Sequence, residues 1–181
     1  MTSLRWLLIA ALVGLMPGGG AAAQGAAQKG TSGPTLVIET VKGAIEIQMF
    51  PADAPKTVEH ITALAKRNFY NGHRIHRVVK GFVVQFGDPQ SRDMTKRDRW
   101  GSQGSGRPIG ATEIKRRHGR GAVAVAHSGD PKQADSQMYI TLAPQPNLDG
   151  KFTVFGQVVS GMDVAGQLAV NDIVRRVTVK P

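Results

Sequence analysis

Two polar residues eight positions apart, Arg77 and Gln85, are the first candidates for chemistry in this sequence. An arginine guanidinium is a planar fork of N–H donors that stays charged at any working pH, so it can stabilise developing charge without exchanging a proton. The amide oxygen of a glutamine can hold such a fork in place. On residue type alone, however, an arginine in a strand is most often a solvated or ion-paired surface residue.

Four apolar side chains could complete a site around this pair: Phe82, Val83, Met138 and Tyr139. Residues of these types ordinarily belong to a hydrophobic core. If they instead line a cleft beside the guanidinium, they offer a dry pocket for a small apolar ring. The residue types alone leave both interpretations open.

A hairpin and a helix are the first elements that must position these residues. Apolar and polar residues alternate over residues 36–49 and are interrupted by Lys42-Gly43, which predicts two strands and a turn. Asp53 and Pro55 then open a segment whose apolar residues recur at helical spacing. Its apolar face consists of Val58, Ile61, Leu64 and Ala65.

Short β-like runs follow along the rest of the chain. They cover residues 75–79, 82–86, 121–126, 138–142, 153–158 and 173–179, with a brief helical stretch at 162–169. Many short strands with few helices favour an all-β fold, a closed antiparallel barrel with two helices, over a parallel α/β sheet. Residues 88–120 form one long irregular stretch, and loops of that length are usually functional or mobile.

The amino terminus has the composition of an export signal. Arg5 supplies a positive charge, residues 6–16 form an apolar run of 11 residues, and residues 21–23 are three alanines that suit a cleavage site. The run is well short of the roughly 20 residues that cross a bilayer as a helix. We therefore predict a signal peptide over 1–23, a flexible linker over 24–34 and one folded domain over 35–181. We expect a periplasmic or secreted protein, cleaved near Ala23, with no membrane span after signal removal.

Composition restricts the chemistry and the partners. The chain has no cysteine, so neither disulfides nor thiol catalysis contribute, and its net charge of +10 favours acidic surfaces without specifying any. The basic residues concentrate at 92–99 and 115–120, with Trp100 as the only aromatic between the clusters. A solvated loop face is favoured there over a nucleic-acid-binding surface, and we expect no nucleic acid partner.

Three other kinds of site are disfavoured. His73 and His76 are three residues apart, so on a strand they face opposite sides, and no cysteine supports a metal site. Ser136 lacks the spacing of a nucleophile elbow. The glycines of residues 104–110 lack the spacing of a dinucleotide-binding loop. The sequence therefore predicts no metal and no cofactor.

Three groups of motifs carry a resemblance to a known family. Residues 75–79 read Ile-His-Arg-Val-Val and are followed by Gly-Phe-Val-Val-Gln at 81–85; residues 136–140 read Ser-Gln-Met-Tyr-Ile; and Asn-Leu-Asp-Gly-Lys at 147–151 is followed by Val-Phe-Gly at 154–156. Their order and spacing resemble the cyclophilin family of peptidyl-prolyl cis/trans isomerases, over about residues 35–179. Several ordered motifs are more specific than any one alone.

The resemblance implies an eight-stranded antiparallel barrel capped by a helix at each end, and an enzyme that rotates X-Pro bonds. Arg77 takes the place of the family's catalytic arginine, and Gln85 that of the glutamine beside it. The substrate-binding positions correspond to Phe82, Val83, Ala126, His127, Met138, Tyr139, Leu148 and Phe152. The expected partners are proline-containing unfolded or loop segments of exported proteins, and a monomer is expected.

Several positions depart from the family pattern. They include Ile75, Phe86, Met138, Tyr139, Asn147 and Phe152. Asn147 stands where cyclosporin-sensitive members carry Trp, so the resemblance implies weak cyclosporin binding. The alternative function is a non-catalytic peptide-binding or chaperone module, and a third is a basic binder of anionic envelope polymers. The retained Arg77 and Gln85 favour the enzyme.

Overall fold

Eight strands and two helices make up the chain from Thr35 onward. The computed structural model describes residues 33–181, so the predicted signal peptide and most of the predicted linker lie outside the described residues. The strands are β1 (Thr35–Thr40), β2 (Gly43–Met49), β3 (Arg77–Val79), β4 (Val83–Phe86), β5 (Ala122–Val125), β6 (Met138–Thr141), β7 (Val154–Ser160) and β8 (Val174–Lys180). The helices are α1 (Pro55–Lys66) and α2 (Met162–Gln167), and short 3-10 turns lie at Pro89–Arg92, Met94–Arg99, Pro131–Gln133 and Pro146–Leu148.

All eight strands belong to one curled antiparallel sheet with the order β3-β4-β6-β5-β7-β2-β1-β8. Its two edges approach each other through an isolated bridge between Arg74 and Ile173, and the Ile75 amide donates to the Asp172 carbonyl at 2.9 Å. In residues 33–181 no continuous ladder joins β3 to β8, which lie at opposite ends of the strand order. The predicted full closure of the barrel is therefore not confirmed: the sheet is an open half-barrel.

The opening hairpin and the amphipathic helix are confirmed. β1 pairs with β2 from Thr35 opposite Gln48 to Thr40 opposite Gly43. In α1 the predicted apolar face is buried, with Val58 and Ile61 at most 5% exposed. The helix begins at Pro55, and its amino-terminal amides at Lys56 and Thr57 donate to the Glu113 carboxylate at 3.0 Å each. A distant loop residue thus caps the helix.

The strands bury two separate hydrophobic clusters. The main core lies between the sheet and the two helices, and includes Leu36, Ile47, Phe86, Ile140 and Phe155. A smaller cluster lies on the other face of the central strands and consists of Val83, Ala122, Ala124, Tyr139 and Val154. Successive side chains of a strand point to opposite faces, so the same strands supply both clusters.

The loop over residues 88–120 is irregular for most of its length but well anchored. The fully buried Asp88 carboxylate accepts from the amides of Gln90 and Gly101 at 2.7 Å each and from that of Gln103 at 3.1 Å. These bonds fix the carboxyl-terminal end of the first basic cluster against the sheet. No helix among residues 33–181 has both the length and the apolar character to cross a bilayer.

Candidate active site

The guanidinium of Arg77 and the amide of Gln85 meet at one edge of the sheet. β3 and β4 form a tight hairpin in which Arg77 lies directly opposite Gln85, and Gly81 takes the positive φ of 68° that the turn requires. Arg77 Nη1 donates to Gln85 Oε1 at 3.2 Å. The guanidinium also lies 5.7 Å from the centroid of the Phe82 ring. Arg77 is exposed and lines the adjacent cleft.

Gln137 extends this pair into a chain of hydrogen bonds that the sequence reasoning missed. Gln85 Nε2 donates to Gln137 Oε1 at 2.9 Å, and Gln137 Nε2 donates to the carbonyls of Gly101 and Gln103 at 2.8 and 2.9 Å. Each amide therefore has a fixed orientation, from the long loop back to the guanidinium. In the sequence, the signal for Gln137 is its place in the Ser-Gln motif at 136–137.

A cavity of about 500 Å³ opens beside Arg77. Nine of the ten predicted site residues line it: Arg77, Phe82, Val83, Gln85, Ala126, His127, Tyr139, Leu148 and Phe152. Its floor is the smaller hydrophobic cluster, and Tyr139 and Phe152 form adjacent walls with ring centroids 5.7 Å apart at 85°. The arrangement is an apolar pocket with one fixed cation at its mouth, which suits a ligand with a small apolar ring next to polar backbone.

Met138 does not lie in this pocket, which corrects the assignment made from the sequence. It is fully buried in the main core, while its neighbour Tyr139 belongs to the pocket-side cluster. Because side chains alternate along β6, only one of two adjacent residues can face the cleft.

Three further pocket residues had not been assigned to the site: His76, Trp100 and Gly101. Two of them carry a signal in the sequence. Trp100 is the only aromatic between the basic clusters, and His76 directly precedes Arg77. Burial is the main cause that lowers the pKa of His76, so its imidazole stays neutral near pH 7. Another pocket residue, His127, has its Nε2 3.0 Å from the Lys151 carbonyl oxygen.

The protonation states favour a site that works with a fixed charge. Burial raises the pKa of Tyr139, so its phenol keeps its proton. Across residues 33–181 the side chains of His, Asp and Glu form no group of three that could hold a metal ion. The pocket therefore combines the Arg77 guanidinium and the neutral His76 imidazole with apolar walls.

Known proteins resemble this chain in sequence over most of its length. The model of the family described as cyclophilin type peptidyl-prolyl cis-trans isomerase matches residues 35–180. Human peptidyl-prolyl cis-trans isomerase-like 3 is 37% identical over 134 residues, which cover 74% of this chain and 81% of the human protein. Mouse peptidylprolyl isomerase domain and WD repeat-containing protein 1 is 36% identical over 135 residues, but this chain spans only 20% of its length.

Solved structures share the fold. A Cryptosporidium parvum cyclophilin type peptidyl-prolyl cis-trans isomerase, crystallised in the presence of the dipeptide Ala-Pro, superposes with a TM-score of 0.70 at 23% identity and covers 81% of this chain and 99% of its own. The family match and the relatives show the family, and the solved structure shows the shared fold. With its family match over residues 35–180, this chain belongs to the cyclophilin-type peptidyl-prolyl cis-trans isomerase family.

Proposed function

We propose that this protein catalyses cis/trans rotation about X-Pro bonds, with Arg77 as an electrostatic catalyst. The observation that carries the proposal is the guanidinium of Arg77, held by Gln85 Oε1 at 3.2 Å at the mouth of an apolar pocket. The pocket takes the prolyl ring, and the guanidinium acts on the peptide bond that precedes it.

The mechanism follows from the electronic structure of the peptide bond. Resonance gives the C–N bond partial double-bond character and a rotation barrier of about 18 to 20 kcal/mol. A donor that binds the prolyl nitrogen as it becomes pyramidal, or the carbonyl oxygen of the twisted bond, localises the lone pair and lowers the barrier. Gln85 and Gln137 orient the donor in advance, so the reorganisation cost is small. No covalent bond is made and no proton is transferred.

The clients follow from the expected location of the protein. We propose that it acts on unfolded or loop prolines of exported proteins, since uncatalysed isomerisation takes tens to hundreds of seconds and can limit folding. The composition of residues 1–23 supports export to the periplasm or the medium. We also propose weak cyclosporin binding, because the exposed Asn147 directly precedes Leu148 of the pocket and offers no indole at the rim.

The test is the isomerisation rate of a short Ala-Pro peptide with wild type and Arg77→Ala. Loss of one preorganised donor costs about 3 to 4 kcal/mol of transition-state stabilisation, so kcat/KM should fall on the order of 100-fold to 1000-fold. Because Arg77 is exposed, Tm should change little. Arg77→Lys should recover little, since an ammonium cannot reproduce the planar fork.

Near-wild-type turnover by Arg77→Ala would refute the mechanism. If the wild type binds the peptide but does not accelerate its exchange, the protein is instead a non-catalytic peptide-binding module.

A further inference from the structure

His118 is a buried histidine outside the pocket lining, and its ring contacts Tyr139 of the pocket wall and Asp149, the neighbour of the pocket residue Leu148. His118 is 2% exposed. Its Nδ1 lies 3.0 Å from Asp149 Oδ1, and its Nε2 lies 3.0 Å from the Tyr139 hydroxyl oxygen. Its backbone amide also donates to Asp149 Oδ1, at 2.7 Å. The mechanism proposed above gives this residue no role.

The partners of His118 determine which way the protons point. Its backbone amide, more than any other group, lowers the pKa of Asp149, which is therefore ionised and can only accept. Nδ1 must then carry the proton, and in the neutral ring Nε2 is left as an acceptor. The Tyr139 phenol, protonated because burial raises its pKa, donates to Nε2. Both hydrogen bonds therefore donate in the same direction, from Tyr139 to His118 and from His118 to Asp149.

The three residues connect separate segments behind the pocket. His118 precedes β5, Tyr139 lies on β6, and Asp149 directly follows the pocket residue Leu148. The His118 ring is within 13° of parallel to the Tyr139 ring and meets the Phe152 ring edge-on, with centroids 6.5 Å apart. The His118 side chain therefore contacts the rings of two pocket residues, Tyr139 and Phe152. It is also hydrogen-bonded to Asp149, next to the third pocket residue, Leu148.

We propose that Tyr139, His118 and Asp149 form a hydrogen-bonded relay that positions the walls of the prolyl pocket and determines how tightly the ring is bound. The proposal depends on the proposed role of the pocket. All three are positioning residues in this respect: the hydroxyl of Tyr139 points away from the cleft, and only its ring faces the ligand. A wall that contacts the prolyl ring equally in the ground and twisted states contributes uniform binding, which affects affinity rather than turnover.

The decisive variant is Tyr139→Phe, which keeps the ring and deletes the hydroxyl. It leaves Nε2 of His118 without its donor in a buried place. We expect the Kd of an Ala-Pro peptide, measured by NMR titration, to rise about 3-fold to 10-fold, the effect of one lost hydrogen bond. The Kd should change by a larger factor than the exchange rate of the saturated peptide, and this split between affinity and turnover is the signature of a positioning role.

Two His118 variants and a double variant identify the relay as the cause. His118→Leu should weaken binding at least as much as Tyr139→Phe, while His118→Gln should weaken it less, because its amide can still accept from the phenol. In the double variant Tyr139→Phe/His118→Leu, the loss should not exceed the larger single loss, since both changes break one chain.

The relay would be refuted by an unchanged Kd in Tyr139→Phe, even with a lower Tm, because the hydroxyl would then serve stability alone. Additive losses in the double variant would equally contradict it. If His118→Leu does not fold, the isosteric Tyr139→Phe still decides. Failure of the catalytic proposal is separate: it would appear as normal exchange by Arg77→Ala, whereas the relay is read from peptide binding.

Discussion

Val83 and Val84 are neighbours on β4 and each is 1% exposed, yet they belong to different parts of the molecule. Val84 contacts the main core under the helices, whereas Val83 belongs to the smaller cluster that floors the pocket. Met138 and Tyr139 divide in the same way on β6. The degree of burial therefore does not separate core residues from site residues in this fold; the face of the sheet does.

The two faces differ in what lies above them. The main core is closed by α1 and α2, so a side chain removed there leaves a cavity that only the protein can fill. The pocket-side cluster is open to the cleft, so a side chain removed there also changes what a ligand touches. We expect main-core substitutions to change the free energy of unfolding alone, and pocket-side substitutions to change peptide binding as well.

Phe155→Ala is the largest expected effect and tests the main core. Phe155 is fully buried in β7, and loss of such a ring costs about 3 to 5 kcal/mol. Urea denaturation should report this loss, while kcat/KM per folded molecule, measured at a temperature where the variant is folded, should match wild type. A large loss of activity in the folded protein would show that the two faces are not independent.

Asn147→Trp tests the rim of the pocket. A buried aromatic contact is commonly worth about 2 kcal/mol, so calorimetry should find cyclosporin bound some thirty-fold more tightly by the variant. Because Asn147 is exposed, Tm and Ala-Pro turnover should change little. Tight cyclosporin binding by the wild type, or no gain from Trp, would place the rim elsewhere.

Acid pH should destabilise the main-core side through His73. This fully buried imidazole packs edge-on against Phe69 and Tyr70, and burial is the main cause that lowers its pKa to about 3. An unfolded histidine binds a proton below about pH 6.5, whereas His73 in the folded state does so only near pH 3. The free energy of unfolding is therefore undiminished above about pH 6.5 and falls as the pH drops toward 3. The loss between pH 7 and pH 5 is about 2 kcal/mol.

Denaturation curves at several pH values measure this effect, and His73→Phe should reduce the slope. A lowered pKa of His76 contributes in the same direction, so some slope remains. Turnover per folded molecule should stay nearly flat between about pH 6 and pH 9, because arginine does not titrate there. A histidine-like limb in the turnover profile would instead indicate that His76 or His127 takes part in the reaction.

Val83→Ala and Val84→Ala have the smallest expected effects, but as a matched pair they test the division between the two faces most directly. Each deletes the same two carbons from the same strand at equal burial, so both should cost about 1.5 kcal/mol of stability. Only Val83→Ala should also weaken Ala-Pro binding, by a few-fold, in an NMR titration. Equal changes of Kd in both variants would contradict the division between the faces.

Much of the local structure could be predicted from the residues. Alternation over residues 36–49 predicted the β1–β2 hairpin, and the spacing of Val58, Ile61 and Leu64 predicted the buried face of α1. The opposition of Arg77 and Gln85 also follows from local geometry, since a short turn between two strands places them side by side. The predicted signal peptide and export remain predictions, because residues 1–32 are outside the described part of the chain.

The tertiary structure decided what depends on contacts between distant segments. Whether Met138 or Tyr139 faces the cleft requires knowing which side of β6 the helices cover, and two adjacent apolar residues do not encode that side. The anchoring of Gln137 by Gly101 and Gln103, the capping of α1 by Glu113 and the isolated bridge between Arg74 and Ile173 each join residues far apart in sequence. Short-range geometry follows from neighbouring residues, whereas long-range partners depend on how distant segments pack against one another in the folded chain.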